Sequence, residues 1–142
     1  MIVPYRIIER LPTLDEYRRL CTAVGWGEII NLEAARSALP NSLYGVVATA
    51  GEKTVGMGRI IGDGAIFFYI QDIAVLPQHQ GRGVGTMIME ALMAYLEQHA
   101  PAKAFIRLFA ATGKEAFYEH YHFAIPNYAT GMYRVPFTER GC

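Results

Sequence analysis

Cysteine is scarce in this chain, with Cys21 inside a helical pattern and Cys142 at the very end as its 2 examples in 142 residues. Two such residues make no disulfide framework, which favours a reducing compartment. An excess of charge is also missing. The 13 basic side chains balance the 13 acidic ones, so the chain lacks the basic field that non-specific nucleic-acid binding requires. No uninterrupted apolar run reaches the roughly 20 residues of a membrane span. The opening Met1-Ile2-Val3-Pro4-Tyr5-Arg6 has neither a basic n-region nor a long apolar h-region. His79 and His120 have no metal-ligand partners at suitable spacing. The absences lead to the expectation of a soluble cytoplasmic protein with no membrane, nucleic-acid or metal partner.

What is present is a globular balance. Hydrophobic residues make up 52% of the chain and charged residues 18%, at a length that suits one domain with one core. No repeat, low-complexity tract or linker divides it, so residues 1–142 read as a single domain. Residues 5–10 read as a short strand. Thr13-Leu14-Asp15-Glu16 has the spacing of a capping box, with Thr13 as N-cap and Glu16 reaching back. The helix that follows carries Leu14, Tyr17, Leu20, Cys21 and Val24 on one face and stops at Gly25. Residues 32–39 read as a second short helix, ended before Pro40. Strands are predicted over 43–50, 54–61 and 65–75, separated by the turns Gly51-Glu52-Lys53 and Gly62-Asp63-Gly64. From Val84 the apolar residues Ile88, Ala91, Leu92, Tyr95 and Leu96 recur at helical spacing. A strand over 104–110, a helix over 113–121 and a last strand over 129–135 complete the pattern. The predicted class is α/β (α+β), with a mixed sheet that is antiparallel first and crosses over later.

The segment that carries chemistry runs from Gln71 through Pro77 and Gly81-Arg82-Gly83-Val84-Gly85 to Thr86. Pro77 has no N–H and ends the strand. Glycines let backbone N–H groups crowd a ligand without a Cβ in the way, and the first helical turn adds free donors and a positive dipole end. Arg82 adds a full charge. These features describe an anion site of pyrophosphate type. A P-loop needs a lysine after its glycines, which is absent, and the dinucleotide fingerprint needs glycine at position 86, where Thr86 stands. A glycine-rich turn without a ligand is the alternative reading.

The spacing Gln80-x-x-Gly83-x-Gly85 resembles the acetyl-CoA signature of the GNAT superfamily of N-acetyltransferases. Gly56-Met57-Gly58-Arg59, the Gly62-Asp63-Gly64 turn and Gln71-Asp72-Ile73-Ala74-Val75 sit where that family has its second to fourth strands. Ala116-Phe117-Tyr118-Glu119-His120-Tyr121-His122-Phe123 resembles its F-Y-x-x-x-G-F motif. With Gly25-Trp26 and Gly131-Met132-Tyr133, the chain is most similar to the branch of bacterial and plastid arylalkylamine (serotonin-type) acetyltransferases. The likeness covers nearly the whole chain. It implies the GNAT fold, acetyl-CoA as co-substrate and transfer of acetyl to a primary amine, a small molecule in the favoured case, by direct attack in a ternary complex. A non-catalytic acetyl-CoA-binding sensor or interaction domain is the alternative, and homodimers are frequent in the family. The chain departs from the motif at position 122, where His122 replaces a glycine that follows a helix end and often takes positive φ.

The resemblance also implies roles. Backbone groups of Ile73, Ala74 and Val75 lie along the pantetheine arm, with Ile73 and Val75 pairing with it. Gln80, Gly81, Arg82, Gly83, Val84, Gly85 and Thr86 hold the pyrophosphate. Tyr118 is the general acid that protonates the departing thiolate, with core packing as its alternative. Among Tyr69, Gln71 and Asp72, strand alternation sets Asp72 opposite the other two. Asp72 is the one carboxylate of the three and leads as general base. Its alternative is an ordinary partner for a neighbouring backbone or basic group. Glu28 is a second candidate as base or amine-binding carboxylate, and Trp26, Tyr69 and Met132 are candidates for an aromatic acceptor pocket.

Overall fold

A computed structural model describes residues 4–136, and the chain divides into two compact units, 1–108 and 109–142. Cys142 lies outside the described residues. The first unit holds a five-stranded sheet of β1 (Tyr5–Ile8), β2 (Tyr44–Ala50), β3 (Lys53–Gly62), β4 (Phe67–Val75) and β5 (Phe105–Arg107), in that spatial order. The first three pairings are antiparallel and β4–β5 is parallel, as the sequence pattern predicts for a mixed sheet. β2 and β3 join through a two-residue turn whose first residue, Gly51, has φ 63°, a value glycine adopts without Cβ strain. At the next turn Asp63 Oδ1 accepts from the N–H groups of Ala65, Ile66 and Phe67. A parallel pair needs a crossover, and the helix α3 (Val84–His99) supplies it.

The sheet separates two different packings. On one face Gly56 and Gly58 leave their space to α3. A Cβ on Gly58 would lie 2.7 Å from Ile88 Cγ2 and 3.2 Å from Leu92 Cδ1. Ile88, Met89, Leu92 and Leu96 of α3 are buried there with Val46, Ile60 and Phe68 in the core. The neighbouring residue Arg59 must point to the other face, by strand alternation, and there it meets Tyr17 and its surroundings on α1 (Leu14–Ala23). The α1 capping box forms as predicted: Glu16 N–H donates to Thr13 Oγ1 at 3.1 Å, and Thr13 N–H donates to Glu16 Oε1 at 2.8 Å. The helix ends at Gly25, φ 89°, with Trp26 N–H bonded to Cys21 O and Gly25 N–H to Thr22 O, a Schellman closure.

Three expectations are corrected. The helix predicted over 32–39 shrinks to α2 (Ala35–Ala38), which ends before Pro40 as expected, and Pro40 lies inside the following 3₁₀ turn Leu39–Asn41. Proline is tolerated there because the first residues of a helical turn need no N–H acceptor. The strand expected over 104–110 covers only β5. The strand expected over 129–135 has no regular structure. A strand needs a ladder partner, and no other strand occurs among the described residues of the second unit.

That second unit contains α4 (Glu115–Glu119). Beyond it His122 stands at φ 71°, with Phe123 N–H on Tyr118 O and His122 N–H on Glu119 O. Histidine therefore fills the left-handed residue of a Schellman closure that glycine fills at the end of α1.

Candidate functional site

The open edge of β4 is the first component. Its ladder with β5 covers only Phe67, Phe68 and Tyr69. Its ladder with β3 continues to Val75, so residues 70–75 have no strand on their other edge among the described residues. Leu76 N–H donates to Val55 O of β3 at 2.8 Å. The two ends of a trans peptide unit point in opposite directions, so the Val75 carbonyl faces the open edge. There Gln80 Nε2 donates to it at 2.9 Å. The Val75 N–H is directed the same way, because both groups of one extended residue share an edge.

A bulge shapes this stretch. Met57 pairs with Ala74 and Arg59 with Gln71, so Asp72 and Ile73 together oppose Gly58. Asp72 has φ 60°, a left-handed conformation that few non-glycine residues take. Its carboxylate Oδ2 accepts from Arg59 Nε at 2.6 Å and from Tyr17 OH at 3.0 Å, while Arg59 Nη1 donates to Ser42 Oγ at 2.9 Å. The side chains of Asp72 and Arg59 are 10% and 12% exposed. Burial and the neighbouring Asp72 carboxylate raise the Tyr17 pKa, so its hydroxyl keeps its proton and remains a donor. The alternation expected of Asp72 against Tyr69 and Gln71 fails for this reason. Gln71 shares a face with its pair Arg59, and the bulge brings Asp72 to that same face. The geometry gives Asp72 the basic partner that its alternative reading expects.

The loop beyond β4 is the second component. A short 3₁₀ turn, Pro77–His79, carries His79 to within 2.8 Å of the Tyr5 hydroxyl through Nδ1. Gly81 and Gly83 then take φ 76° and 86°. A Cβ at either would have no atom within 4 Å, so backbone conformation and open space, not packing, explain these glycines. Gly83 is the N-cap of α3, and no side chain caps that end. The first intrahelical bond is Met87 N–H to Gly83 O, which leaves the N–H groups of Val84, Gly85 and Thr86 without intrahelical acceptors. Arg82 is exposed beside them. These groups fit a diphosphate: a 16-residue helix aims its positive end at open space with three donors.

The remaining predicted residues are spread over the connector after α1, β4 and the second unit. Trp26 is half-buried and Glu28 exposed in the connector after α1, while Tyr69 is half-buried on β4, its hydroxyl 3.4 Å from Arg107 Nη1. No hydrogen bond or ring contact among the described residues joins Trp26, Glu28 and Tyr69. In the second unit Met132 is exposed. Tyr118 is half-buried against Phe117 and Phe123, at ring-centroid distances of 5.0 and 6.4 Å, and burial raises its pKa. Sequence reasoning missed Arg59, Tyr17 and Ser42 as a group. The signal was Arg59 itself, a charge inside the otherwise apolar strand 55–61, which demands a buried partner.

With an open strand edge followed by a glycine loop at an uncapped helix start, the chain falls in a known class. Residues 41–125 match the acetyltransferase (GNAT) domain family. The chain belongs to that family. It is 30% identical over 128 residues to an uncharacterised N-acetyltransferase of Pyropia yezoensis, covering 87% of this chain and 72% of that one. It is also 30% identical over 137 residues to a chloroplastic GCN5-related N-acetyltransferase of Arabidopsis thaliana, covering 82% of this chain and 52% of that one; the chain thus spans about half of that relative. Among solved structures, a probable acetyltransferase of unknown function from methicillin-resistant Staphylococcus aureus superposes with a TM-score of 0.85 at 32% identity, covering 94% of this chain and all of that one. The GNAT fold expected from the sequence is the fold observed. No helix among the described residues is long and apolar enough to cross a membrane.

Proposed function

We propose that this chain is an N-acetyltransferase that moves acetyl from acetyl-CoA to a primary amine, a small molecule in the favoured case, within a ternary complex. One observation carries the reading: the open β4 edge leads, through one short 3₁₀ turn, to two left-handed glycines and the uncapped start of α3. The pyrophosphate would be held by the N–H groups of residues 84–86 and by Arg82. Val75 N–H, on the open edge, would meet the pantetheine arm or the thioester carbonyl. Anchoring the remote nucleotide then places the thioester, so binding energy serves the chemical step.

The amine nitrogen attacks the thioester carbon, the C–S bond breaks, the amine sheds a proton and the thiolate gains one. Tyr118 supplies that second proton in this reading. Its raised pKa keeps the phenol protonated at neutral pH, which suits a general acid. With Asp72 held by Arg59 and Tyr17, the amine proton goes to water, and Glu28 is the carboxylate left for holding a cationic amine. The likeness to arylalkylamine acetyltransferases directs the choice of acceptor towards amines with an aromatic ring. The free, buried thiol of Cys21 supports a cytoplasmic placement.

The test combines calorimetry with acetyl-CoA and mass spectrometry of an amine panel. The parent should bind acetyl-CoA and acetylate at least one amine. Gly83→Val, strained at φ 86°, should bind the cofactor more weakly while remaining folded. Tyr118→Phe should keep its affinity and lose about 10²–10⁴-fold in kcat. Unchanged affinity in folded Gly83→Val removes the anion site from the loop. Binding without turnover of any amine makes the chain an acetyl-CoA sensor.

A further inference from the structure

The bulge in β4 lies just ahead of the edge assigned above to the thioester, and something must hold it in that shape. Asp72 sits in the bulge at φ 60°, a conformation that the strand ladder does not enforce, since Asp72 has no Cα partner in it. Its carboxylate is instead gripped from two elements. Arg59 reaches it from β3 at 2.6 Å and Tyr17 from α1 at 3.0 Å. Arg59 is braced in turn by Ser42, two residues before β2, at 2.9 Å. A carboxylate oxygen held by both a guanidinium and a phenol is an effective anchor. The next residues are Ile73, Ala74 and Val75, the same residues that bound the open edge.

We propose that Arg59, Asp72 and Tyr17 form a clamp of positioning residues that fixes the β4 bulge and so sets the direction of the Ile73–Val75 edge toward the acyl donor. Ile73 lies on the opposite face, where its Cγ1 borders, with Ile88 and Leu92, the space that Gly58 leaves free. A displacement near 1 Å is enough to cost about 10²-fold when it misplaces reacting groups, so loosening the clamp affects binding and turnover together.

The inference rests on the acetyl-CoA reading, and the experiment separates the two. Acetyl-CoA affinity, kcat, KM for acetyl-CoA and the pH profile are measured for the parent, Asp72→Asn, Arg59→Gln and the double variant. A parent that does not bind acetyl-CoA overturns the functional reading itself. With a binding parent, each single variant is expected to lose about tenfold in kcat/KM for acetyl-CoA, with affinity reduced and the pH profile keeping its shape. The double variant is expected to lose no more than either single one, because the two act through one contact. Full affinity and turnover in both folded single variants overturn the clamp, as do additive losses in the double. Loss of a pH limb in Asp72→Asn with affinity intact makes Asp72 the general base and overturns it too. Should Asp72→Asn fail to fold, Tyr17→Phe decides. It keeps the ring and removes one grip, with about threefold weaker acetyl-CoA binding expected, and unchanged affinity overturns the proposal.

Discussion

On the α3 face of the sheet, Gly56 and Gly58 make way for Val84, Ile88 and Leu92; one residue along, on the α1 face, Arg59 and Tyr17 both donate to Asp72. The first contact is apolar, non-directional and tolerant of small shifts in register. The second fixes angles as well as distances, because each hydrogen bond has a preferred line. Close packing holds the sheet together, whereas the polar face determines the local course of one strand. The α1 face extends this pattern to the helix start. Glu16 closes the capping box and takes Arg10 Nη1 and Nη2 at 2.8 and 3.0 Å and Thr54 Oγ1 of β3 at 2.5 Å.

The contrast breaks most visibly on the apolar side. Gly58→Val drives a branched side chain into Ile88 and Leu92, whose flexible ends must move. Overpacking of this kind costs about 3 kcal/mol, so denaturant unfolding should shift strongly to lower concentration with little change in slope. A midpoint near the parent's shows that α3 is not seated on that glycine.

The polar side breaks with pH. The Arg10 hydrogen bond, chiefly, holds the Glu16 carboxyl down from 4.5 to about 2. A depressed folded-state pKa gives stability that is present above the unfolded value and lost as pH falls through the folded one. The parent should therefore lose on the order of 2 kcal/mol between pH 4.5 and 2 from this group, after allowance for its partial exposure. Glu16→Gln should be less stable at pH 7 and flatter across that window. Parallel pH–stability curves for parent and variant deny Glu16 this role.

The smallest effect expected comes from Thr13→Ala, which removes the N-cap acceptor but leaves Glu16 its grip on Arg10 and Thr54. A cap is worth about 1 kcal/mol, and thermal unfolding should fall by a few degrees. A loss as large as that of Glu16→Gln locates the value of the α1 start in the cap rather than in its tie to β3.

Much of this was legible beforehand. Thr13, Glu16 and Gly25 bound α1 through local chemistry, and local chemistry is what sequence spacing records. The three hairpin-linked strands and the period change at Val84 were equally plain, as was the glycine loop. The β4 bulge was not. Two residues facing one leave no mark on the alternation of a single strand, since the count that changes belongs to the pairing with β3. Asp72 was therefore assigned to the wrong face. Residues 129–135 alternate well enough for a strand, but a strand exists only with a partner, and partners are not written locally. The stop before Pro40 holds, since α2 ends at Ala38; the excess of the reading lies chiefly in residues 32–34, where no helix forms.

The edge along 70–75, which has no strand partner among the described residues, has one more consequence. A row of free backbone groups beside a sheet is an invitation to any extended polypeptide, and in a crowded cell such edges recruit neighbours into aggregates. Here the invitation is withdrawn in two places. The bulge at Asp72 and Ile73 throws a foreign strand out of step after one or two bonds, and Gln80 already occupies the Val75 carbonyl. The opening is thus closed to proteins at large while staying open to a thin, flexible ligand that needs only one or two of its groups.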